Sequence, residues 1–254
     1  MYTLSLCCIA KDENEYFTEW IEFHLKIGVQ HFFIYDNGSK VPITETLRSA
    51  NLLRYATVIW MPGKSKQVIA YNHCLKSNRN ISQWIGFIDV DEFIVPKSTF
   101  ADLGKLIRDY EQFGALGINW LIFGSSGHVV RTKRSQLESF TLRSDESFPP
   151  NAHVKCIVQA EYVMKCVGAH RFLYIKGKFC VNENFTPIND SFSNISTMKV
   201  QINHYYCRSL EEYKDKVLRG LADSKRKRDL NDFYFHDENS NKVKDTFILK
   251  MLDI

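Results

Sequence analysis

The first ninety residues fall into blocks of apolar and polar positions whose lengths match strands and helices. Apolar, β-branched or aromatic runs predict buried strands at residues 2–10, 31–35, 55–61 and 84–88. Helical patterns lie between them, from a start at Asp12 or Asn14 to a stop at Gly28, and at residues 44–53 and 66–78. This alternation predicts an α/β fold, with a mostly parallel sheet and helices on both faces.

The pattern is less regular in the second half of the chain. Residues 99–113 and 209–221 look helical, residues 115–123 and 154–163 look like strands, and residues 170–207 hold short strand-like runs. No internal repeat or low-complexity linker interrupts the chain. We therefore predict a single domain over residues 1–254, with an α/β front half and a mixed back half.

Composition narrows the class of protein. The 254 residues are 44% hydrophobic and 24% charged, which is typical of a globular protein, and the net charge of +4 does not demand a nucleic-acid partner. The seven cysteines form no Cys-x-x-Cys pair, so we expect reduced, largely buried thiols rather than a zinc ribbon or a disulfide framework. Neither a leader pattern nor a membrane-spanning run is visible, and we expect a cytoplasmic protein.

Two acidic residues, Asp89 and Asp91, follow directly after the fourth predicted strand. In extended chain, residues i and i+2 point to the same side, so their carboxylates converge at the strand end where open α/β sheets bind ligands. Two close carboxylates repel unless a cation lies beside them, and oxygen ligands suit Mg²⁺ or Mn²⁺. A solvated acidic turn remains the simpler alternative. If the two carboxylates do bind a metal ion, the expected role of that ion is to hold a diphosphate.

Four stretches together resemble glycosyltransferase family 92, formerly a domain of unknown function, and related bacterial family 2-like enzymes. They are Lys11-Asp12-Glu13-Asn14-Glu15 with Glu19-Trp20-Ile21-Glu22-Phe23-His24, Phe33-Ile34-Tyr35-Asp36-Asn37-Gly38-Ser39, Phe87-Ile88-Asp89-Val90-Asp91-Glu92-Phe93, and Asn119-Trp120 with Phe123-Gly124-Ser125-Ser126-Gly127-His128. Further matches are His153-Val154-Lys155, Ile202-Asn203-His204-Tyr205, and Lys216 with Arg219-Gly220. One departure is Lys11-Asp12-Glu13, where the family usually has Lys-Asn-Glu.

The resemblance implies a glycosyltransferase A fold with a Rossmann-like half that binds the donor. Residues 1–97 would bind the nucleotide-sugar, and residues 98–254 would form the acceptor half and the closing helices. It also implies a UDP-sugar donor, often UDP-galactose, a saccharide or glycolipid acceptor, a Mn²⁺ or Mg²⁺ cofactor, and inversion at the anomeric carbon.

The expected donor-binding residues follow the strand ends and lie on two helices. They are Lys11, Glu13, Asp36, Gln67, Asn72, Asp89, Lys216 and Arg219. Asp36 would accept a hydrogen bond from uracil or ribose, or it only forms a turn. Lys216 and Arg219 are spaced i, i+3 and would neutralise the diphosphate, unless they are a solvated basic face, and Arg208 is a weaker candidate of that type.

The expected metal ligands are Asp91, which would bind the metal directly, and His204, while Asp89 would reach the ribose or, through water, the metal. A neutral imidazole is a common transition-metal ligand, and a late histidine often completes this site in the fold that the resemblance implies. Glu92 is either a partner behind the metal ligands or a solvated carboxylate.

The acceptor side is harder to predict. Trp120, Ser126, His128, His153 and Lys155 are candidates for acceptor binding, and His170 could line the same cleft. An inverting transfer needs a general base, for which Glu183 is the first candidate and Glu138 and Asp145 are rivals, although each fits a solvated residue too.

A basic run, Lys225-Arg226-Lys227-Arg228, is either a solvated face or a contact with the inner face of an anionic membrane. Two other functions compete with sugar transfer. A nucleotidyltransferase also uses paired carboxylates, but residues 10–15 lack the glycine-rich loop that such enzymes carry near the first strand. A binding module without catalysis is the other alternative, against which Asp89, Asp91 and His204 argue.

Overall fold

The computed structural model describes residues 1–97, 102–219 and 229–252. The helices are α1 (Asn14–Lys26), α2 (Ile43–Ser49), α3 (Gln67–Asn78), α4 (Leu103–Leu106), α5 (Gln136–Ser139), α6 (Leu210–Arg219), α7 (Leu230–Ser240) and α8 (Phe247–Leu252). The strands are β1 (Tyr2–Ala10), β2 (His31–Asp36), β3 (Ala56–Trp60), β4 (Ser82–Phe87), β5 (Glu92–Pro96), β6 (Ala115–Ile122), β7 (Leu142–Arg143), β8 (Val154–Gln159), β9 (Val163–Gly168), β10 (Arg171–Tyr174), β11 (Cys180–Val181), β12 (Pro187–Ile188), β13 (Val200–His204) and β14 (Val243–Lys244).

The front half forms the parallel part of the main sheet. Strand β1 pairs in parallel with β2 on one side and β4 on the other, and β3 extends the sheet beyond β2. Alternate residues of β1 face opposite sides of the sheet. Leu4, Leu6 and Cys8 pack in the cluster that includes α1, while Cys7 and Ile9 pack in the cluster that includes α3. The predicted alternation, with helices on both faces, is confirmed.

The back half departs from parallel pairing. Strand β8 lies between β4 and β6 and is antiparallel to both. Strand β13 pairs antiparallel with β5 and parallel with β6, and its register places His204 opposite Glu92. The pairing of β13 with β5 brings residues 200–204 beside the acidic motif that follows β4. It therefore determines the geometry of the site.

Several predicted elements differ from those in the structure. The predicted strand 154–163 ends at Gln159, where a short 3₁₀ turn leads into β9, and the helix predicted at 99–113 is short, with α4 followed by a 3₁₀ turn. Strand β5 and the helices α7 and α8 carried no prediction. The basic run 225–228 lies outside the described residues.

Two further features bear on the predicted class. All seven cysteines are buried, and none forms a disulfide, as the cysteine pattern predicted. Across the part of the chain that the structure describes, no helix combines the length and apolar character that crossing a bilayer requires.

Candidate functional site

A cleft of about 400 Å³ opens at the carboxyl ends of β1 and β4. Among its lining residues are many of those predicted to bind donor, metal or acceptor: Lys11, Glu13, Gln67, Asp89, Asp91, Trp120, His170, His204, Lys216 and Arg219. Asn37, in the loop after β2, lines it too, and so do Lys64 and Tyr206, which were not predicted. Lys64 lies just beyond the end of β3, so the strand-end rule that pointed to Asp89 would have found it.

Asp91 lies between two nitrogen-bearing side chains from other elements. Its Oδ2 accepts a hydrogen bond from the Lys216 Nζ at 2.7 Å and faces the His204 Nε2 at 3.8 Å. Burial opposes ionisation, but Lys216 and His204 outweigh it and hold the pKa of Asp91 well below its usual range. Asp91 is therefore a carboxylate throughout the neutral pH range.

His204 is buried behind Asp91, and burial lowers its pKa to about 4. At neutral pH the ring is therefore uncharged, which is the form that binds metals. Its Nδ1 has no hydrogen-bond partner and lies 3.9 Å from the Glu92 Oε1, which is equally buried and without a partner. Two unsatisfied buried groups thus face each other across the β5–β13 pair.

Glu92 is fully buried, so the alternative of a solvated carboxylate is wrong. Its Oε2 accepts a hydrogen bond from the Asp89 backbone N–H at 2.9 Å and lies 3.4 Å from the Lys155 Nζ. Burial, with the negative charges of Asp89 and Asp91, raises the pKa of Glu92 well above its ordinary value despite Lys155. Glu92 therefore lies behind the residues that line the cleft and does not line the cleft itself.

Lys155 does not reach an acceptor. It is buried in β8, and its Nζ donates to the Asp89 Oδ2 at 2.7 Å. The Gln67 Nε2 donates to the other oxygen of Asp89 at 3.1 Å. A lysine inside an otherwise apolar strand predicts a buried partner, and this was the signal in the sequence that pointed away from acceptor binding.

Two residues predicted to bind the sugar donor, Asp36 and Asn72, form hydrogen bonds within the protein instead. The Asp36 carboxylate accepts hydrogen bonds from the backbone N–H groups of Gly38, Ser39 and Ile43, which is the turn-forming alternative. Asn72 donates to the backbone C=O of Cys166 and accepts from its N–H, both at 2.9 Å, so it joins α3 to β9. The geometry gives neither side chain a free group for a nucleotide.

A partly buried charge cluster joins α6 to the loop after β1. Glu13 accepts hydrogen bonds from Arg208 at 2.6 Å and from Arg219, whose guanidinium also donates to the backbone oxygens of Lys11 and Asp12. The two arginines and Lys216 hold the pKa of Glu13 below its ordinary value against the opposing effect of burial. This cluster fixes α6, and with it Lys216, over the cleft.

Of the predicted acceptor residues, Trp120 lines the cleft. Its ring stacks on His153, with centroids 4.7 Å apart, and lies 4.4 Å from the ring of His204. Ser126 and His128 lie away from the cleft. The Ser126 Oγ accepts from the backbone of Thr141 and Leu142, and the His128 ring bonds the backbone oxygen of Ser139.

The predicted catalytic carboxylates are not brought to the cleft. Glu183 is buried, and its oxygens accept from the Ser196 hydroxyl and from the backbone N–H groups of residues 198, 199 and 200. Glu138 lies on α5 beside a different cavity of about 580 Å³. Asp145 is exposed and does not line the cleft. The geometry therefore gives none of them support as the general base.

Comparison with known proteins identifies relatives over nearly the whole chain. The model of glycosyltransferase family 92 matches residues 2–251. A family 92 protein of Oryza sativa subsp. japonica is 28% identical over 226 residues, which are 87% of this chain and 36% of that protein. A galactan beta-1,4-galactosyltransferase of Arabidopsis thaliana is 27% identical over 175 residues, which are 63% of this chain and 33% of that protein. The chain thus spans just over a third of the length of the curated relatives it matches first.

Among solved structures, the chain is similar to glucosyl-3-phosphoglycerate synthase from Mycobacterium tuberculosis in complex with Mn²⁺, UDP and glucosyl-3-phosphoglycerate. The match has a TM-score of 0.36 and 15% identity, and it covers 64% of this chain and 58% of that chain. The fold of the present chain is of the α/β class, with a large sheet whose front half is parallel.

Proposed function

The chain belongs to glycosyltransferase family 92, and from this premise we propose that it transfers a hexose from a UDP-sugar to a saccharide or glycolipid acceptor. The proposed reaction depends on a divalent metal and inverts the anomeric carbon, with galactose as the first candidate sugar. The observation that carries the proposal is the cleft at the ends of β1 and β4, where Asp91, His204 and Lys216 converge. The galactan galactosyltransferases among the relatives support galactose.

The residues at Asp91 fit a Mn²⁺ or Mg²⁺ ion as a partial ligand set. Among the described residues, no three His, Cys, Asp or Glu side chains form a complete metal site. Asp91 and His204 would supply one carboxylate oxygen and one neutral nitrogen, a pair that suits Mn²⁺ and leaves positions for the donor diphosphate. When bound, the ion would stabilise the negative charge on the leaving UDP.

Glu92 supports the same assignment. Metal-bound histidines commonly donate their second ring N–H to a carboxylate, which fixes the ring and raises its basicity as a ligand. The Glu92 Oε1 lies beside the unpartnered Nδ1 of His204, on the side of the ring away from Asp91. In the proposed function, Glu92 orients His204 with its Nε2 towards the cleft.

Lys216 and Arg219, both on α6, have separate roles in the proposal. Lys216 lies against Asp91 at the place proposed for the diphosphate, so its ammonium group would neutralise the leaving group. Arg219 is already bound to Glu13 and to the loop after β1, and it would hold α6 in place. Trp120 and His170 form the wall on which we place the sugar. Neither Glu183 nor Glu138 has a role in proton transfer in this proposal.

Ligand-dependent thermal stability tests the proposal directly. A ligand that binds the folded state raises its melting temperature by mass action, so UDP with Mn²⁺ should stabilise the protein and UDP with a chelator should not. Hydrolysis of UDP-galactose and UDP-glucose, followed as UDP release, then identifies the sugar. If no UDP-sugar stabilises the protein in the presence of Mn²⁺, and none is hydrolysed, the proposal is wrong.

The same measurements separate the two competing functions. A nucleotidyltransferase would release pyrophosphate from a nucleoside triphosphate and a sugar phosphate. A binding module would be stabilised by UDP without any release of sugar. The cleft does not support a nucleotidyltransferase, because the loop after β1 carries Lys11 and Glu13 and no glycine.

A further inference from the structure

The strands β9 and β10 form an antiparallel hairpin outside the main sheet. One face is buried against the cluster that includes α3, through Val163, Cys166 and Phe172. The opposite face leaves large apolar side chains in water. Met164 is 66% exposed, Val167 40% and Leu173 43%, and Ile175, which follows β10, is 41% exposed.

Between the exposed Glu161, which precedes the hairpin, and Glu183, all the charged side chains are basic. Residues 162–182 contain Lys165, Arg171, Lys176 and Lys178 and no acidic residue. The segment 64–79, which includes α3 beneath the hairpin, contains four more basic residues and again no acidic one. Acidic residues make up 29 of the 254 in the chain, so their absence from both packed segments sets this surface apart from the rest.

An exposed face that combines aliphatic side chains with basic ones fits one kind of partner best. Anionic lipid headgroups attract the basic side chains, and the acyl boundary accepts the apolar ones. A second copy of this chain would bring like charges together. A nucleic acid would bind the basic residues and leave Met164 and Leu173 in water. From this complementarity we propose that the β9–β10 hairpin docks the protein on an anionic membrane surface.

The hairpin is joined to the cleft as well as to α3. Asn72 bonds both backbone groups of Cys166, which fixes β9 on the helix. The connection between the strands carries Ala169 and His170 into the lining of the cleft. Docking through the hairpin would therefore hold the cleft beside the lipid headgroups. The consequence that the acceptor is a glycolipid rests on the proposed function, whereas the docking itself does not.

Vesicle co-sedimentation without nucleotide tests the docking. The parent protein should bind vesicles of phosphatidylcholine and phosphatidylglycerol in equal parts at least about tenfold more tightly than vesicles of phosphatidylcholine alone, and added salt should reduce this binding. Replacing Lys165, Arg171 and Lys176 by Ala should weaken binding to the anionic vesicles at least about tenfold. Replacing Met164 and Leu173 by Ser should weaken it about three- to tenfold.

Matched variants control for total charge and total apolar surface. The triple replacement of the exposed Lys242, Lys244 and Lys250 by Ala removes the same charge elsewhere, and Val130→Ser with Met198→Ser removes exposed apolar groups elsewhere. Both should bind anionic vesicles as the parent does. Melting temperatures close to that of the parent would show that each variant is folded.

Three outcomes would overturn the proposal. In the first, the parent binds both kinds of vesicle equally or neither. In the second, the hairpin variants bind anionic vesicles as their matched controls do. The same conclusion follows if vesicle binding is retained by the hairpin variants but abolished by neutralising Lys225, Arg226, Lys227 and Arg228. In the third, the hairpin variants change the sedimentation coefficient of the protein and leave vesicle binding intact, which would assign the surface to self-association. Because no donor is present, these results are independent of sugar transfer.

Discussion

Asp91 is a partly buried carboxylate and Glu183 a buried one, and the partners of the two groups differ completely. The two oxygens of Glu183 accept hydrogen bonds from a hydroxyl and three backbone N–H groups of one segment, residues 196–200. Asp91 is bound by the ammonium group of Lys216, which comes from another element, and it faces both His204 and the cleft. Backbone donors cannot leave without refolding, but a side chain can exchange its partner for a ligand.

The comparison shows that burial alone does not identify a catalytic carboxylate. What distinguishes the two is whether the partners are fixed backbone groups or side chains that line a cavity. Glu183 holds the segment that leads into β13, and so acts on the position of His204. Asp91 is the group that is open to ligand chemistry. Changing each carboxylate separately would test this distinction.

Asp91→Asn should have the largest effect on activity. Losing the charge removes a proposed metal ligand, and a lost contribution of several kcal/mol corresponds to a decrease of at least about 1,000-fold in Mn²⁺-dependent UDP-sugar hydrolysis. Asp145→Asn, at an exposed site, is the matched control and should retain the parent rate. A rate for Asp91→Asn within tenfold of the parent would contradict the assignment of Asp91.

Glu92→Gln tests whether the site depends on the carboxylate behind His204. A divalent ion bound at Asp91 and His204 would favour the ionised form of Glu92, whose pKa is raised in the metal-free protein. The neutral amide cannot take up that charge beside the Nδ1–H of His204, so we expect Mn²⁺ affinity to fall about 10- to 100-fold. Electron paramagnetic resonance of free Mn²⁺ in a titration measures this affinity without any turnover. If the Mn²⁺ affinity of the variant equals that of the parent, Glu92 does not position His204.

Glu183→Gln should affect stability rather than chemistry. The amide cannot accept hydrogen bonds at both ends of the group, so we expect the free energy of unfolding to fall by about 2 kcal/mol in urea denaturation. The kcat of the folded variant should stay within about twofold of the parent. A large loss of kcat with unchanged stability would instead make Glu183 a candidate base again.

His24 extends the comparison to a buried group that has only fixed partners. Its Nε2 accepts from the Ile94 backbone N–H at 3.2 Å, so its Nδ1 carries the hydrogen and donates to the Trp20 oxygen at 2.7 Å. Burial lowers the pKa of His24 to about 3, below the value of about 6.5 in the unfolded chain. The folded state therefore binds fewer protons, and stability is complete above pH 6.5 and decreases as pH falls towards 3.

Of the four predicted effects, the pH dependence that His24 contributes to stability is expected to be the smallest. Between pH 6.5 and 5.5, His24 should reduce the free energy of unfolding by at most about 1.4 kcal/mol. Urea denaturation at the two pH values measures the loss, and His24→Gln, which can donate and accept in the same place, should show a smaller one. Equal losses in parent and variant would mean that other groups determine the pH dependence.

The front half of the fold could be predicted because each of its elements has a local signature. Strand β1 reads as one apolar run because both of its faces are buried, and it lies where the run predicted it. The strand-end rule then located Asp89 and Asp91 without knowledge of distant contacts. Both carboxylates line the cleft.

The back half depends on contacts that no local pattern encodes. Strand β5 begins at Glu92, so a charged residue hides its start, although Phe93, Ile94 and Val95 form an apolar run that could have revealed it. The partners of Glu183 are backbone groups, which every residue carries, and so the sequence could not identify them. The hydrogen bonds of Asn72 to β9 likewise join segments far apart in the chain.

The pairing of β5 with β13 also determines where the chain can change in length. Side chains alternate between the faces of a strand, so a deletion or insertion of one residue within Val200–His204 would shift the register and turn every side chain on one side of the change to the opposite face. His204 would then leave Asp91 and Glu92, even though the composition of the chain had hardly changed. The preceding residues 189–195 lie outside the helices and strands, although Ser191 and Ser193 bond the backbone of residues 152–154, so a change of length there should disturb the β5–β13 pair less than one within it. Among relatives, we therefore expect length variation before β13 and none within it.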